Sequence, residues 1–199
     1  MGFIVFILFL ALTFSLILSK IKSGKYAVVA KIFRIATIIA TFSFFSYWFI
    51  EKSIEKSSKE SLGLQVINKL PQALDFYIIK KDLHPEDKSV KLTTDHLGKI
   101  RPEHFRTDYL KMKNSDEFWI VGFLGKKNLS YFSQHYVPNK NIDQIVEVQN
   151  YINQSAKLSE QAKKEIEAYN YNNIKLSIWT TLNFLLLFIN LALIFRRTK

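Results

Sequence analysis

Residues 176–195 read LSIWTTLNFLLLFINLALIF, twenty consecutive residues without a charged side chain. An α-helix rises about 1.5 Å per residue, so about 20 residues cross the hydrocarbon core of a lipid bilayer, which is roughly 30 Å thick. The run is therefore long enough to form a transmembrane helix by itself. It decides the fold class, because a chain with such a segment is organised around a membrane.

Two further uncharged runs lie near the N-terminus. Residues 2–19 read GFIVFILFLALTFSLILS, and residues 35–50 read IATIIATFSFFSYWFI. The second of these runs reaches the length of a crossing only if the helix begins near Tyr26 and includes Lys31 and Arg34. The sequence thus predicts a membrane protein with three transmembrane α-helices, at about residues 2–19, at about residues 26–50 and within residues 174–199.

The first run also has to be compared with a cleaved signal peptide. A signal peptide carries positive charge before its apolar stretch and a small-x-small cleavage site after it. Here the charges at Lys20, Lys22 and Lys25 follow the run, and Ser19-Lys20-Ile21 is a poor cleavage site. We therefore expect the first run to remain in the protein as a membrane helix.

The acidic residues are confined to the middle of the chain. All 17 lie between Glu51 and Glu167, where 19 basic side chains leave a net charge of only +2. Most of the overall charge of +11 therefore comes from nine basic residues beside the apolar runs. A basic chain can indicate nucleic-acid binding, but the nearly neutral central region argues against that class, and we predict no nucleic-acid partner.

The basic segments also set the predicted orientation, because cytoplasmic loops of membrane proteins are enriched in Lys and Arg. Residues 20–25 hold three lysines, and residues 196–199 hold two arginines and a lysine. Both segments are expected in the cytoplasm, which leaves the N-terminus and residues 51–173 outside. The Lys/Asn/Ile-rich composition is typical of an AT-rich bacterial genome. The predicted location is therefore the cell inner (plasma) membrane, as a multi-pass protein with a cytoplasmic C-terminus.

Three domains follow from these boundaries. Residues 1–50 hold the first two transmembrane helices and a basic cytoplasmic loop. Residues 51–173 form a small extracytoplasmic α+β domain with an antiparallel sheet. Residues 174–199 hold the third transmembrane helix and a short basic cytoplasmic tail.

Four runs in the central region have the composition of strands. The strongest, Phe118–Leu124 (FWIVGFL), is nearly continuous in apolar residues, which predicts a central strand. Leu129–Val137 follows it after a glycine-containing turn and is its predicted antiparallel partner. Shorter strands are predicted at Leu74–Ile79 and around Val90–Leu92.

Helices are predicted on both sides of these strands. The second transmembrane helix is expected to continue to Glu60, and apolar spacing predicts a short helix over Leu62–Leu70. A long C-terminal stalk helix is predicted from Asn141, because Asn141 and Gln144 match a capping box and apolar residues repeat at helical spacing beyond them. Residues 170–173 either break this helix above the membrane or let it continue into the third crossing.

The residues that could carry chemistry do not form a known catalytic or metal-binding pattern. The chain has no cysteine, which excludes disulfides, thiol catalysis and thiolate metal sites. No serine occurs in a G-x-S-x-G setting. Three of the four histidines have acidic neighbours, but none has the spacing of a zinc motif. The four are His84, His96, His104 and His135. We therefore predict that the chain is not an enzyme and binds neither a metal nor a cofactor.

Four polar residues in the predicted membrane helices are candidates for binding a partner subunit. Lys31 and Arg34 lie one helical turn apart, and their side chains can reach lipid headgroups or pair with an acidic residue of another subunit. Asn183 and Asn190 are seven residues apart and share a helix face, where their amides can hydrogen-bond to a neighbouring helix. That neighbour is either a helix of this chain or a helix of a partner.

Two function classes fit these predictions. The first is a non-catalytic accessory or scaffold subunit of a multi-subunit membrane complex, in transport, secretion or envelope assembly. Such a subunit docks other membrane-protein subunits through its extracytoplasmic domain and its helices, within the lipid bilayer. The alternative is an extracytoplasmic sensor or ligand-binding module that signals through a partner, because the predicted cytoplasmic segments are too short for an output domain. The accessory subunit is the simpler hypothesis.

Overall fold

The apolar runs form the helices of the protein. A computed structural model describes residues 2–21, 23–55, 61–83, 90–112, 115–125 and 127–195, and within these ranges it contains three α-helices and seven β-strands. Helix α1 spans Gly2–Leu18, α2 spans Lys25–Glu55 and α3 spans Ala156–Phe195. Helices α2 and α3 are long and apolar enough to cross a membrane, whereas α1 is apolar but has only 17 residues.

The chain divides into two compact units. The first contains Met1–Glu55 together with Tyr171–Lys199, and the second contains Lys56–Asn170. Helix α3 contributes to both, because it continues without interruption through residues 170–173. Of the two possibilities left open for that segment, continuation is the one observed.

Seven strands form two sheets in the second unit. They are β1 Ser61–Asn68, β2 Leu74–Leu83, β3 Val90–Ile100, β4 His104–Lys111, β5 Ser115–Leu124, β6 Asn128–Tyr136 and β7 Gln144–Val148. Four of them form an antiparallel sheet in the order β3-β2-β5-β6. In the other sheet, ordered β4-β1-β7, β1 pairs antiparallel with β4 and parallel with β7. The predicted antiparallel sheet is confirmed, and a second, mixed sheet accompanies it.

The two sheets pack face to face around the main hydrophobic core. Along β1, every second residue is buried in this core, including Leu62, Leu64 and Val66. From the larger sheet, Ile78 of β2 and Ile120 of β5 join the same core and are fully buried. Since successive side chains of a strand point to opposite faces, the residues between them face away from this core.

The opposite face of the four-stranded sheet is covered by α3. Ile79 of β2 and Trp119 of β5 pack with Ala162 and Ile166 of α3. Strands β2 and β5 are therefore buried on both faces, which explains why their sequences are nearly continuous in apolar residues. The prediction that Phe118–Leu124 is a central strand with an antiparallel partner is confirmed, since β5 lies between β2 and β6.

The prediction of a short helix over Leu62–Leu70 is wrong. These residues form β1, which pairs with β4 on one side and with β7 on the other. Leu62, Leu64 and Val66 fit the strand period of two, but Leu62, Val66 and Leu70 also fit helical spacing, so the local pattern supports both. Hydrogen bonding to two strands distant in sequence decides for the strand.

The long C-terminal helix begins later than predicted. Asn141 lies in a turn, and the residues after it form β7. The predicted capping box is not formed, because Gln144 lies in β7 and its side-chain amide donates to the Ile142 carbonyl oxygen. Ser155 caps α3 instead: its Oγ accepts a hydrogen bond from the Leu158 backbone N–H at 3.3 Å.

One further prediction lies partly outside the described residues, and one strand was not predicted. Helix α2 ends at Glu55, and its predicted extension over residues 56–60 lies outside the described residues. Strand β4 has no counterpart among the predicted strands. Its sequence, HFRTDYLK, contains Arg106, Asp108 and Lys111, which interrupt the apolar pattern.

Glu117 of β5 ties three strands of the larger sheet together. Its carboxylate accepts hydrogen bonds from Trp119 Nε1 at 2.6 Å, from Lys81 Nζ of β2 at 3.2 Å and from Gln134 Nε2 of β6. Partial burial raises the pKa of Glu117, but these hydrogen bonds and the charge of Lys81 outweigh burial and hold the pKa below its ordinary value. The ionised carboxylate therefore stabilises the fold.

We expect Glu117→Gln to lower stability near neutral pH and to have little effect in acid. A carboxyl group whose pKa is lower in the folded than in the unfolded chain stabilises the fold above the unfolded pKa, and this contribution is lost as the pH falls through the folded pKa. The loss near neutral pH should be about 1.5–3 kcal/mol, the range for hydrogen bonds to a charged group. Thermal unfolding at several pH values measures it, with Glu160→Gln on the exposed side of α3 as the control. A stability difference that does not change with pH would contradict the assignment.

Candidate functional site

The predicted partner-binding asparagines face another helix of the same chain. Asn183 Nδ2 donates to the Val5 carbonyl oxygen at 3.0 Å, and Asn190 Nδ2 donates to that of Leu12 at 3.1 Å. Ser15 Oγ donates to Asn190 Oδ1 at 2.9 Å. Both asparagine side chains are fully buried. Of the two neighbours considered for these amides, the one observed is a helix of this chain, α1.

These contacts show that α1 and α3 run in the same direction. The two carbonyls that accept from the asparagines are seven residues apart on α1, as the asparagines are on α3, and both numbers increase together. At the Asn190 anchor, the side chain of Leu12 packs with Ile38 of α2 and Leu187 of α3. Trp179 adds edge-on ring contacts to Phe6 and Phe9 of α1. A small apolar core with two polar anchors therefore holds the three helices in register.

The two predicted cations lie on α2 in different environments. Lys31 is exposed, whereas Arg34 is partly buried, and its Nε and Nη2 atoms make no hydrogen bond within the part of the chain that the structure describes. No hydrogen bond among the described residues joins either cation to Asn183 or Asn190. The four residues are therefore not brought together in one site, and a role of Lys31 and Arg34 in partner binding stays a prediction.

One histidine of the central unit forms a pair with a carboxylate. His96 Nε2 of β3 lies 2.8 Å from Asp75 Oδ1 of β2, and its ring stacks on Tyr77 with the ring centroids 4.4 Å apart. Burial raises the pKa of Tyr77, whose hydroxyl accepts a hydrogen bond from Asn170 of α3. A His–Asp pair can transfer protons, but among the described residues no serine or threonine bonds to His96. The contacts of this cluster join β2, β3 and α3.

A second histidine lies beside a serine in the core. His135 Nε2 of β6 is 2.7 Å from Ser133 Oγ, and its ring stacks on Phe118 at 5.1 Å. Burial lowers the pKa of His135, which favours the neutral imidazole. A Ser–His pair is part of many nucleophilic sites, but Ser133 is buried and closed to a substrate. His84 lies outside the described residues, and the residues that are described hold no group of three or more His, Cys, Asp or Glu side chains able to bind a metal ion.

The most unusual surface belongs to the three-stranded sheet. We use the name outer sheet face for its side away from the core. It carries Phe105 and Tyr109 of β4, Ile67 of β1 and Ile145 of β7, with the polar residues Gln65, Thr107 and Glu147 among them. Phe105, Tyr109 and Ile145 are 59%, 58% and 64% exposed. A sheet with one solvated face normally presents polar side chains to water. An exposed apolar face therefore indicates a surface that binds something.

The strand register places these side chains next to one another. Phe105 pairs with Ile67, and Ile145 lies across β1 one position further along the same face. Diagonal neighbours on one face are about 7–8 Å apart, within reach of long side chains, so the three form a continuous patch. Tyr109 pairs with Gly63, and the space left by the missing side chain of Gly63 is filled by the Asp143 carboxylate, which accepts a hydrogen bond from the Gly63 N–H at 2.8 Å.

A cleft lined by basic residues lies beside this face. It has a volume of about 390 Å³ and lies where β3 ends and β4 begins. Its lining residues are Lys99, Ile100, Arg101, His104, Phe105 and Arg106. We use the name basic cleft for this feature. Because Phe105 belongs to both, the basic cleft and the outer sheet face are continuous.

Neither feature can be recognised from the sequence pattern alone. Phe105 and Tyr109 are four residues apart with the polar Thr107 midway between them, a spacing that fits a strand and a helix. The pattern also does not say which face another layer covers. Lys99 and Arg106 are separated by six residues of mixed character. They line one cleft only because β3 and β4 lie at the edges of different sheets.

No protein-family model, curated protein or solved structure matches the chain. Among the described residues, the outer sheet face and the basic cleft are the two features whose chemistry and placement point to a function.

We expect Ser15→Ala and Asn190→Leu to be coupled in their effects on stability. Either substitution removes the hydrogen bond between Ser15 Oγ and Asn190 Oδ1, so the second should cost less once the first is present. Hydrogen bonds between membrane helices contribute about 0.6 kcal/mol on average and up to about 1.7 kcal/mol, which sets the expected coupling energy. Unfolding of the single and double variants in a mild detergent measures this energy.

The matched control is Ser15→Ala combined with Asn183→Leu. Asn183 donates to Val5 and not to Ser15, so these two effects should add. If the effects at Ser15 and Asn190 also add, the contact between α1 and α3 is not made as described.

Proposed function

We propose that this chain is a non-catalytic accessory or scaffold subunit of a multi-subunit membrane complex. In this proposal three transmembrane helices anchor it in the plasma (inner) membrane, and the outer sheet face docks a partner subunit on the extracytoplasmic side. The observation that carries the proposal is an exposed apolar sheet face on a chain whose helices α2 and α3 are apolar enough to cross a membrane.

Support for three crossings comes from the pairing of α1 with α3. Helix α1 has 17 residues, the lower limit for a crossing. Its carbonyls nevertheless accept hydrogen bonds from Asn183 and Asn190 within the apolar part of α3, and the two helices run in the same direction. A bilayer that surrounds α3 then surrounds α1 as well, and α2 returns between them. The parallel arrangement of α1 and α3 is what an odd number of crossings requires.

We expect a cysteine at position 127 to be labelled in intact cells by a reagent that does not cross membranes, and a cysteine at position 23 to remain unlabelled. The enrichment of Lys and Arg in residues 20–25 and 196–199 places these segments in the cytoplasm and the central unit outside. Lys127→Cys and Ser23→Cys are clean reporters, because the chain has no cysteine of its own. Both should be labelled after the cells are opened, and the reverse pattern in intact cells would exclude this orientation.

The partner that fits the outer sheet face is a protein whose contact surface combines apolar and acidic side chains. Phe105 and Tyr109 offer aromatic contacts, and aromatic and arginine side chains often dominate the energy of protein interfaces. At the Phe105 end, Lys99, Arg101 and Arg106 line the adjoining cleft. Acidic residues of a partner at the rim of the cleft would be attracted by this positive charge without entering the cleft, and such charge complementarity favours the correct partner over others.

We expect photo-crosslinking residues placed at positions 109 and 145 to capture one and the same protein in intact cells. The two positions lie on different strands of one face, so one partner should contact both. Mapping of the adducts by mass spectrometry should locate apolar residues of the partner next to acidic ones. Ile145→Asp should lower the yield at position 109 by at least about tenfold, because a central contact of an interface typically contributes 2 kcal/mol or more.

The control for this variant is Ile142→Asp, the same substitution at an exposed position outside β7. It should leave the crosslinking yield at position 109 unchanged. Adducts with lipid only, with a second copy of this chain, or with many unrelated proteins would contradict the proposed docking function.

The basic cleft favours a second candidate function, an extracytoplasmic ligand-binding or sensor module. A cleft of about 390 Å³ falls within the range of small-molecule sites, which is about 300–1,000 Å³. In this candidate the ligand would occupy the cleft, and a partner on the outer sheet face would receive the signal through Phe105, which belongs to both surfaces. The two candidates therefore share the docking face and differ in whether a small ligand controls it.

A further inference from the structure

The chain changes sheets at the basic cleft. Strand β3 is at the edge of the larger sheet and β4 is at the edge of the smaller one, and residues 101–103 connect them. This connection is held in place by the Glu103 backbone N–H, which donates to the Asn68 carbonyl oxygen at 2.7 Å. Glu103 has a φ of 59°, a left-handed conformation that is uncommon for a residue other than glycine. The change of sheet therefore sets the position of the residues on both sides of the cleft.

Three cations of the cleft have no acidic partner in the part of the chain that the structure describes. Among the described residues, Lys99, Arg101 and Arg106 form no ion pair. The acidic residue of the connection, Glu103, is already occupied, because its carboxylate lies 2.6 Å from Lys69 Nζ. Like charges in one cleft repel one another, and an anion bound between them removes that repulsion.

The guanidinium of Arg106 is hydrogen-bonded to the backbone of β3. The pairing of β3 with β2 shifts register at the bulge around Leu97 and Gly98. There Arg106 Nη1 donates to the Leu97 carbonyl oxygen at 2.9 Å. Gly98 has a φ of +93°, and a Cβ atom at this residue would lie only 2.6 Å from Arg106 Nη1. The bulge and the missing side chain of Gly98 therefore make the space that the guanidinium fills.

The hydrogen bond to Leu97 orients the guanidinium of Arg106 for binding a ligand. A guanidinium has five N–H donors in one plane, and a single hydrogen bond to Leu97 leaves the others available. His104 is oriented in a similar way, since its Nδ1 lies 2.7 Å from the Pro102 carbonyl oxygen. A carbonyl oxygen only accepts, so Nδ1 carries the hydrogen and Nε2 is left for other contacts.

We infer that the basic cleft binds a phosphate group, carried either by a soluble phosphate ester or by the headgroup of an anionic phospholipid. A guanidinium fork matches the geometry of phosphate oxygens and can bind two of them at once. Lys99 and Arg101 supply the further positive charge that a phosphate of one or two negative charges calls for. Phe105 at the edge of the cleft offers an apolar contact to the organic part of the ligand. The compact size of the cleft favours a single phosphate group over an extended acidic peptide.

The inference rests on the second candidate function, whose ligand class it names, and it can fail or succeed separately from the proposed docking function. Tyr109 and Ile145, which test docking, do not line the cleft. Gly98 and Arg106, which test the cleft, do not belong to the outer sheet face. Loss of phosphate binding with unchanged crosslinking would therefore contradict only the phosphate site. Loss of crosslinking with unchanged phosphate binding would contradict only the docking function.

The experiment measures binding to the full-length chain in dodecyl maltoside micelles, which contain no phosphate. One arm titrates inorganic phosphate and glycerol phosphate at low salt, and the other adds phosphatidylglycerol to the micelles. Binding of the soluble probes identifies a soluble phosphate compound as the source. Binding of phosphatidylglycerol alone identifies a lipid headgroup.

Two variants distinguish a specific phosphate site from nonspecific attraction by positive charge. Arg106→Lys keeps the charge but loses the planar fork, and Gly98→Ala keeps every charge but places a Cβ atom where Arg106 Nη1 lies. Each should weaken binding of the effective probe by about tenfold, the loss expected for charge-assisted hydrogen bonds. Lys157→Gln, an exposed lysine of α3, is the control for loss of one charge and should bind as the parent does. If Gly98→Ala does not fold, as judged by resistance to protease, Arg106→Lys decides alone.

Three results would overturn the inference. The first is that neither phosphate nor phosphatidylglycerol binds the parent protein. The second is that Arg106→Lys and a folded Gly98→Ala bind as tightly as the parent, which would reduce the cleft to nonspecific positive charge. The third is that a glutamate-rich peptide binds where both phosphate probes fail.

Discussion

Burial of β2 and β5 on both faces is the constraint on which the central unit depends. Ile120 joins the core shared with the smaller sheet, while its neighbour Trp119 joins the core shared with α3. A strand pair without a polar face cannot leave either side to water, because each buried aliphatic or aromatic side chain contributes about 1.5–3 kcal/mol through burial. The smaller sheet and the first turns of α3 are thus both required as covers. The position of Ala162 and Ile166 on α3 follows from this requirement.

The same constraint explains where a surface is left for function. The larger sheet uses one face of the smaller sheet as its cover, and none of the described elements covers the other face, which carries Phe105, Tyr109 and Ile145. The chain must also pass from one sheet to the other, and it does so between β3 and β4, where the basic cleft lies. The candidate docking face and the candidate ligand site therefore both result from how the two sheets pack together around the core. Phe105 connects them, because it lines the cleft and also belongs to the outer sheet face.

The helical unit depends on a different interaction, the amide hydrogen bonds of α3 to α1. In an apolar bundle packing alone specifies register weakly, and a polar side chain that must find a partner specifies it more strongly. The two anchors are not equivalent: Asn190 Oδ1 accepts a hydrogen bond from Ser15, while Asn183 Oδ1 is buried without a partner among the described residues. The pair at Asn190 should therefore contribute more to the register of the helices than the pair at Asn183.

The sequence by itself determined the secondary structure of those segments whose length and residue pattern favour one type of structure. The uncharged runs of α1, α2 and α3 were recognised as helices by their length, and Phe118–Leu124 was recognised as a strand because it is a short apolar run that ends at a glycine-containing turn. Only the tertiary structure decided Leu62–Leu70 and the residues after Asn141, since their spacing fits a strand and a helix equally and hydrogen bonds to distant strands select the strand. The tertiary structure also decided which helix the Asn183 side chain faces. A polar helix face has no defined partner until another helix packs against it. The basic cleft required the fold for a related reason: its charges lie on strands of two different sheets, and they face one cleft only because the chain turns from one sheet into the other between them.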